Sequence, residues 1–169
     1  LKPVDIKNKL KDVSGILIPG GFGKRGTEGK IVAISYARKN KIPFLGICLG
    51  LQCAVIEFAR NVLDFKDAHT TEIIEKTPHP VINLMEEQKK ISDFGGTMRL
   101  GAYQCELKPD SKVSSAYNKN SISERHRHRY EFNNNYLEEF EKNGMIASGK
   151  NPKTGLVEII ELSDHPWFI

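Results

Sequence analysis

The run Ile42-Pro43-Phe44-Leu45-Gly46-Ile47-Cys48-Leu49-Gly50-Leu51-Gln52 constrains the fold more than any other part of the chain. Its first half is apolar and short, as a buried strand is. Its second half continues into residues 51–62, where Val55, Ile56, Phe58 and Ala59 face one side of a helix. Between the two stands a cysteine with a glycine two residues to either side, the G-x-nucleophile-x-G pattern of a strand-to-helix elbow. So tight a turn leaves room only for glycine beside it and lifts the central side chain above the sheet edge. A thiol there faces a helix N-terminus, whose partial positive charge favours thiolate. The pattern points to attack by sulfur on a carbonyl carbon. A small buried cysteine in a βα turn is the other reading, since cysteines are among the most buried residues.

The preceding segment supplies the elbow's neighbours. Gly15-Ile16-Leu17-Ile18 reads as a short buried strand ending in Pro19-Gly20-Gly21-Phe22-Gly23-Lys24-Arg25-Gly26. A helical pattern follows over residues 28–40, with Ile31, Ile34 and Ala37 or Tyr36 on one side. Strand, helix and strand make a βαβ unit whose right-handed crossover sets the strands parallel. Both following loops then open at one carboxyl edge, which brings the glycine loop beside Cys48. Downstream, residues 67–80 read as loop, 81–85 as a short strand, 86–92 as a polar stretch and 94–107 as a twisted strand pair. Residues 121–132 read as one strand, 136–142 as a short helix and 156–162 as a late strand.

Composition limits the alternatives. A length of 169 residues, with 39% apolar and 27% charged residues, suits one soluble domain. No apolar run approaches the ~20 residues that span a bilayer, and no secretory leader opens the chain. Cys48, Cys53 and Cys105 have no metal-type spacing and fit a reducing cytoplasm. The net charge of +4 is mild and interleaved, which argues against nucleic acid as a partner. Leu1 is no initiator Met, and Trp167-Phe168-Ile169 stops inside what reads as an apolar strand, so both ends look cut.

Two constellations carry chemistry besides the elbow. Gly21-Phe22-Gly23-Lys24-Arg25-Gly26 matches a dinucleotide fingerprint, but the next strand ends in Cys48 rather than the acid that would hold a ribose. The loop also lacks the Lys-Ser/Thr pair of a P-loop. Its glycines are better used as backbone N–H donors: an oxyanion beside Cys48 would be held by the N–H groups of Leu49 and Gly21. The strand Arg125-His126-Arg127-His128-Arg129 admits a nucleic-acid patch, a metal pair at His126 and His128, or a guanidinium projected into the pocket to grip a carboxylate. A solvated charge run accounts for Arg125 and Arg127.

Together Leu17-Ile18-Pro19-Gly20-Gly21-Phe22-Gly23-Lys24-Arg25-Gly26, the elbow through Gln52, Gly95-Gly96-Thr97-Met98-Arg99-Leu100-Gly101 and Glu124-Arg125-His126-Arg127-His128-Arg129-Tyr130-Glu131 resemble the glutaminase domain of the CTP synthase family. The elbow alone resembles class I glutamine amidotransferases in general; the last two segments single out CTP synthase. The resemblance runs from about residue 13 to Ile169. It implies an α/β, flavodoxin-like fold, with an open, mostly parallel central sheet flanked by helices. It also implies a glutamine-hydrolysing ligase, with Cys48 as the nucleophile that forms a glutamyl thioester and releases ammonia. Gly21 and Leu49 would be the oxyanion and substrate backbone contacts, and Gln52, Glu72 and Arg129 would recognise glutamine. Arg25, Gly26 and Glu28 fall in the family's lid, associated with GTP activation. This domain would carry neither metal nor cofactor. The full enzyme would use ATP and Mg with UTP in a synthase domain of the same chain, through which a homotetramer assembles; that domain is not in this sequence.

One departure matters. The family's His-Pro-Glu, source of the general base and its orienting acid, would follow an apolar strand, and the sequence stops at Ile169 before it. In His165-Pro166-Trp167 the last residue stands where Glu would be needed, so His165 reads as a turn residue and not the base. The chain by itself is therefore expected to be inactive. The alternatives are another class I amidotransferase or thiol hydrolase, and a non-catalytic module on the same scaffold.

Overall fold

The computed structural model describes residues 3–84 and 98–169. The expected βαβα unit forms as β1 (Ile16–Ile18), α2 (Thr27–Lys39), β2 (Phe44–Gly46) and α3 (Leu49–Asn61), preceded by a short helix, α1 (Pro3–Leu10). No apolar periodicity announced α1; it contributes Ile6 to the core. β1 and β2 pair in parallel, Ile16 opposite Phe44 and Ile18 opposite Gly46. α2 buries Ile31, Ile34 and Ala37, so Ala37 rather than Tyr36 completes its inner stripe. α3 is buried on nearly every side from Gln52 to Ala59, because α2 covers one flank and the strands the other. The Phe44 and Phe168 rings meet in this core, centroids 4.5 Å apart and planes tilted by 35°.

The rest of the chain adds two sheets. The first has the order β3-β4-β7, from Ala68–Thr70, His79–Leu84 and Tyr130–Phe132; β3 and β4 are parallel, β4 and β7 antiparallel. The second is antiparallel in the order β6-β5-β8-β9, from Ser121–His128, Arg99–Leu107, Met145–Lys150 and Val157–Leu162. Parallel pairing is thus concentrated in the strands nearest the elbow, within an α/β fold.

Several elements differ from the sequence reading for identifiable reasons. Residues 67–80 hold β3 and the start of β4. The Pro78-His79-Pro80 segment forbids helix but not a strand edge, and the β3–β4 register shifts beside Pro80, which has no N–H to give. The expected strand 121–132 breaks at Arg129, β6 entering one sheet and β7 the other. Within 94–107, the described part is the single strand β5, whose partner is β6 rather than an adjacent hairpin arm. Met85, residues 86–92 and Gly95-Gly96-Thr97 lie outside the described residues. A further helix, α4 (Lys112–Tyr117), starts at the cap Ser111 and is held from a distance. Buried Glu161 on β9 accepts its first N–H groups, from Lys112 at 3.2 Å and Val113 at 3.3 Å. A last helix, α5 (Leu137–Lys142), follows a 3₁₀ turn.

Two ties hold the elbow's surroundings together. Trp167 and Ile169 lie alongside the free edge of β2, with hydrogen bonds from Phe44 N–H to Trp167 O and from Gly46 N–H to Ile169 O, both 2.8 Å. Glu57 on α3, fully buried, takes both oxygens to the Arg38 guanidinium of α2 at 2.8 Å and a further N–H from Asn61. Removing one partner of such a pair strands a charge in the core. Arg38→Ala is expected to lower the unfolding free energy by about 3 kcal/mol, read from urea titration of the folded protein.

Candidate active site

Cys48 sits between β2 and α3 with φ 55° and ψ −105°, a conformation that residues with a Cβ rarely adopt. The glycines around it show what enforces the turn. A Cβ on Gly50 would stand 2.2 Å from the Ile18 carbonyl oxygen, and one on Gly46 would stand 2.8 Å from the Gly50 backbone. Only without those carbons can the first turn of α3 lie across the end of β1. The result aims the half-buried Cys48 thiol into a cavity of about 710 Å³. Gly21, Gln52, Tyr130, Glu131 and His126 share that cavity's wall with it.

Gly21, in the loop after β1, and Leu49, the first residue of α3, direct backbone N–H groups at the Cys48 sulfur from different loops. Burial raises the thiol's pKa, these two donors lower it, and the carboxylates of Glu131 and Glu72 raise it again; the sum lies above the ordinary thiol value. The sum therefore runs against the thiolate that a helix N-terminus favours. Desolvation outweighs it.

The other expected residues are distributed as follows. Gln52, one turn along α3 and nearly buried, donates from Nε2 to the Tyr130 carbonyl at 3.0 Å. Glu72, just past β3, accepts the Gly23 N–H at 3.3 Å and so reaches the glycine loop. Arg129 occupies the bend between β6 and β7, half-buried. Burial raises the pKa of the Tyr130 hydroxyl; the Glu72 charge raises it further and the Arg129 charge lowers it, and neither residue belongs to the cavity wall. Arg25 and Gly26 are exposed at the start of α2, Gly26 with φ 74°. Glu28 is drawn the other way, into a bidentate pair with Arg60 at 3.0 and 3.1 Å and within 3.8 Å of His69. His165 lies buried in a turn, its Nε2 3.3 Å from the Ala37 carbonyl, remote from the elbow's open side.

Reading along the chain missed one charged group at this site. Glu131 and Glu158 meet the Arg99 guanidinium at 2.8 and 2.6 Å on the cavity wall. The signal was available: Glu158 interrupts the apolar run Val157-Glu158-Ile159-Ile160, and a carboxylate on a buried strand needs a cation. His126, considered above as a metal ligand, spends both ring nitrogens here, Nε2 on Glu158 at 2.6 Å and Nδ1 on the Glu124 carbonyl at 2.9 Å. Arg125 and Arg127 are exposed, as a solvated run requires, with Arg127 lying 5.7 Å over the Phe22 ring.

Known proteins share this architecture. Residues 2–169 match the family described as Glutamine amidotransferase class-I. CTP synthase of Flavobacterium johnsoniae is 59% identical over 165 residues, covering 98% of this chain and 31% of that protein. CTP synthase of Cytophaga hutchinsonii is 60% identical over 169 residues, covering 100% of this chain and 31% of that protein. The chain thus spans about a third of the length of these curated relatives. Among solved structures, the glutaminase domain of Trypanosoma brucei CTPS with bound acivicin superposes with a TM-score of 0.90 at 34% identity, covering 99% of this chain and 68% of that one.

The thiols differ enough in environment to be told apart chemically. Burial pushes Cys53 up to about 11 and Cys105 up to about 12, and both are enclosed. Iodoacetamide should label Cys48 alone in the folded protein. Its rate should keep rising with pH beyond the ordinary thiol value, because a raised pKa delays thiolate formation. Peptide mapping by mass spectrometry checks this; modification of Cys53 or Cys105 ahead of Cys48 would contradict it.

Proposed function

The chain belongs to the class I glutamine amidotransferase family, within it to the glutaminase domains of CTP synthase, and from that premise we propose how its residues divide the work. Cys48 Sγ attacks the side-chain amide carbon of L-glutamine, and the C–N bond breaks as ammonia departs with a proton. The glutamyl thioester is then cleaved by water to glutamate, regenerating the thiol. The observation that carries this reading is that the Gly21 and Leu49 N–H groups both act on the Cys48 sulfur and so border the space beside it, where the carbonyl oxygen of a bound amide would become the oxyanion of each tetrahedral intermediate. Gln52 shapes the pocket through the Tyr130 carbonyl. Arg129 takes the substrate α-carboxylate and Glu72 its α-ammonium, two opposite charges that both act on Tyr130.

A thiol whose pKa lies above the ordinary value needs a base. In this reading a His-Pro-Glu segment following Ile169 supplies it. Parallel pairing of Trp167 and Ile169 along β2 supports that assignment, since a chain continuing in that direction reaches the carboxyl edge where Cys48 stands. The ammonia would pass to a synthase domain of the same longer chain, in the cytoplasm, for ATP- and Mg-dependent amination of UTP to CTP. GTP would activate through the segment holding Arg25, Gly26 and Glu28. Assembly into a tetramer would run through the synthase domain.

In the full-length protein, Cys48→Ala should reduce glutamine-dependent CTP formation by about 10³-fold or more while ammonia-dependent formation continues. Arg129→Ala should raise the KM for glutamine about 10- to 100-fold, the loss of a charged hydrogen bond, with a smaller effect on kcat. Acivicin should protect Cys48 from iodoacetamide. Retention of glutamine-dependent activity by Cys48→Ala would sink the assignment, and the absence of any CTP product would favour another amidotransferase.

A further inference from the structure

Four charged side chains from four strands meet at the wall of the cavity that holds Cys48, and His126, Glu131 and Glu158 line it. Arg99 of β5 gives Nη1 to Glu131 Oε1 of β7 at 2.8 Å and Nη2 to Glu158 Oε1 of β9 at 2.6 Å. His126 of β6 meets the other Glu158 oxygen at 2.6 Å. All four are deeply buried: Arg99 at 6%, Glu131 at 7% and His126 at 7% exposed, with the Glu158 side chain at 3%. The Tyr103 ring closes the outer side, 4.4 Å from the Arg99 guanidinium. His126 faces only acceptors, a carbonyl at Nδ1 and a carboxylate at Nε2, so both ring nitrogens must carry protons. The cluster is therefore two cations against two anions. His128 beside it is pushed down to about 4 by burial and by the positive charges of His126 and Arg99, and adds none.

Such a cluster is a weak device for stability, because desolvating four charges consumes most of what their attraction returns. Its location suggests another use. β5, β6 and β9 belong to one sheet and β7 to the other, and the chain passes between sheets at Arg129. His126 lies three residues before that bend and Glu131 two residues after it, both tied through Arg99 and Glu158. Within the bend, the Tyr130 carbonyl holds Gln52, and Glu131 is near enough to Cys48 to act on its thiol. We propose that Arg99, Glu131, Glu158 and His126 form the positioning device that fixes the Arg129–Tyr130 bend against Gln52 and the elbow. They thereby set affinity for glutamine by placing the bend, and only the charge of Glu131 is felt at the thiol. This rests on the glutaminase reading above.

The test compares Glu158→Gln, His126→Ala and His126→Gln in the full-length protein, by steady-state glutamine hydrolysis and by amide hydrogen exchange at residues 129–132. Glu158→Gln and His126→Ala should raise KM about tenfold or more with kcat within about threefold, since a misplaced binding group weakens ground and transition states alike. His126→Gln should recover most of the loss, its amide N–H still able to donate to Glu158. A KM within twofold of wild type, a loss confined to kcat, or no rescue by His126→Gln would overturn the proposal. Should Glu158→Gln fail to fold, the His126 pair answers the same question. If the unmutated protein hydrolyses no glutamine, the glutaminase reading falls instead. The cluster is then judged by exchange at Tyr130 and Glu131, which rises in His126→Ala if the bend is held there and stays unchanged if it is not.

Discussion

The close approach of α3 to the end of β1 is the constraint on which the site depends. Gly50 lies so near the Ile18 carbonyl that no side chain fits between them, and Gly46 lies as tightly under Gly50. This contact bends the chain hard enough to leave Cys48 at φ 55°. It also sets the Leu49 N–H and the Gly21 N–H about one sulfur. The strain is local, and the buried face of α3 holds it, with Cys53, Val55, Ile56 and Ala59 packed to near-zero exposure. An elbow on a less anchored helix would relax and lose its donor pair.

Around this rigid centre the chemistry is divided between backbone and charge. In the proposed reaction the backbone would offer preformed N–H donors, which need no reorganisation when negative charge develops. The carboxylates of Glu72 and Glu131 act against ionisation of the thiol, and burial acts with them. Both keep the thiol's pKa above its ordinary value.

Legibility differed sharply between local and long-range features. The elbow, the glycine loop and the βαβ order were readable because each is a short pattern with one backbone solution. Gly-x-Cys-x-Gly needs a tight turn, and Ile31, Ile34 and Ala37 need a helix. The bend at Arg129 was not readable. Arg125 to Tyr130 alternates as a continuous strand would, and nothing local says that its two halves pair with different sheets. Glu72 entered through resemblance, since a carboxylate in a loop has no pattern of its own; its link to Gly23 spans 49 residues. Glu28 shows the converse, an exposed carboxylate that the fold commits to Arg60.

The sequence by itself determined the elbow, the cysteine at its tip and the parallel unit that presents it, because those follow from steric limits within a few residues. Tertiary structure alone decided the direction in which the thiol's pKa moves and the grouping of Arg99, His126, Glu131 and Glu158. It also decided the position of the Arg129 bend. Each of these depends on burial and on charges brought from distant strands, and free energies of desolvation are properties of the packed chain rather than of any segment.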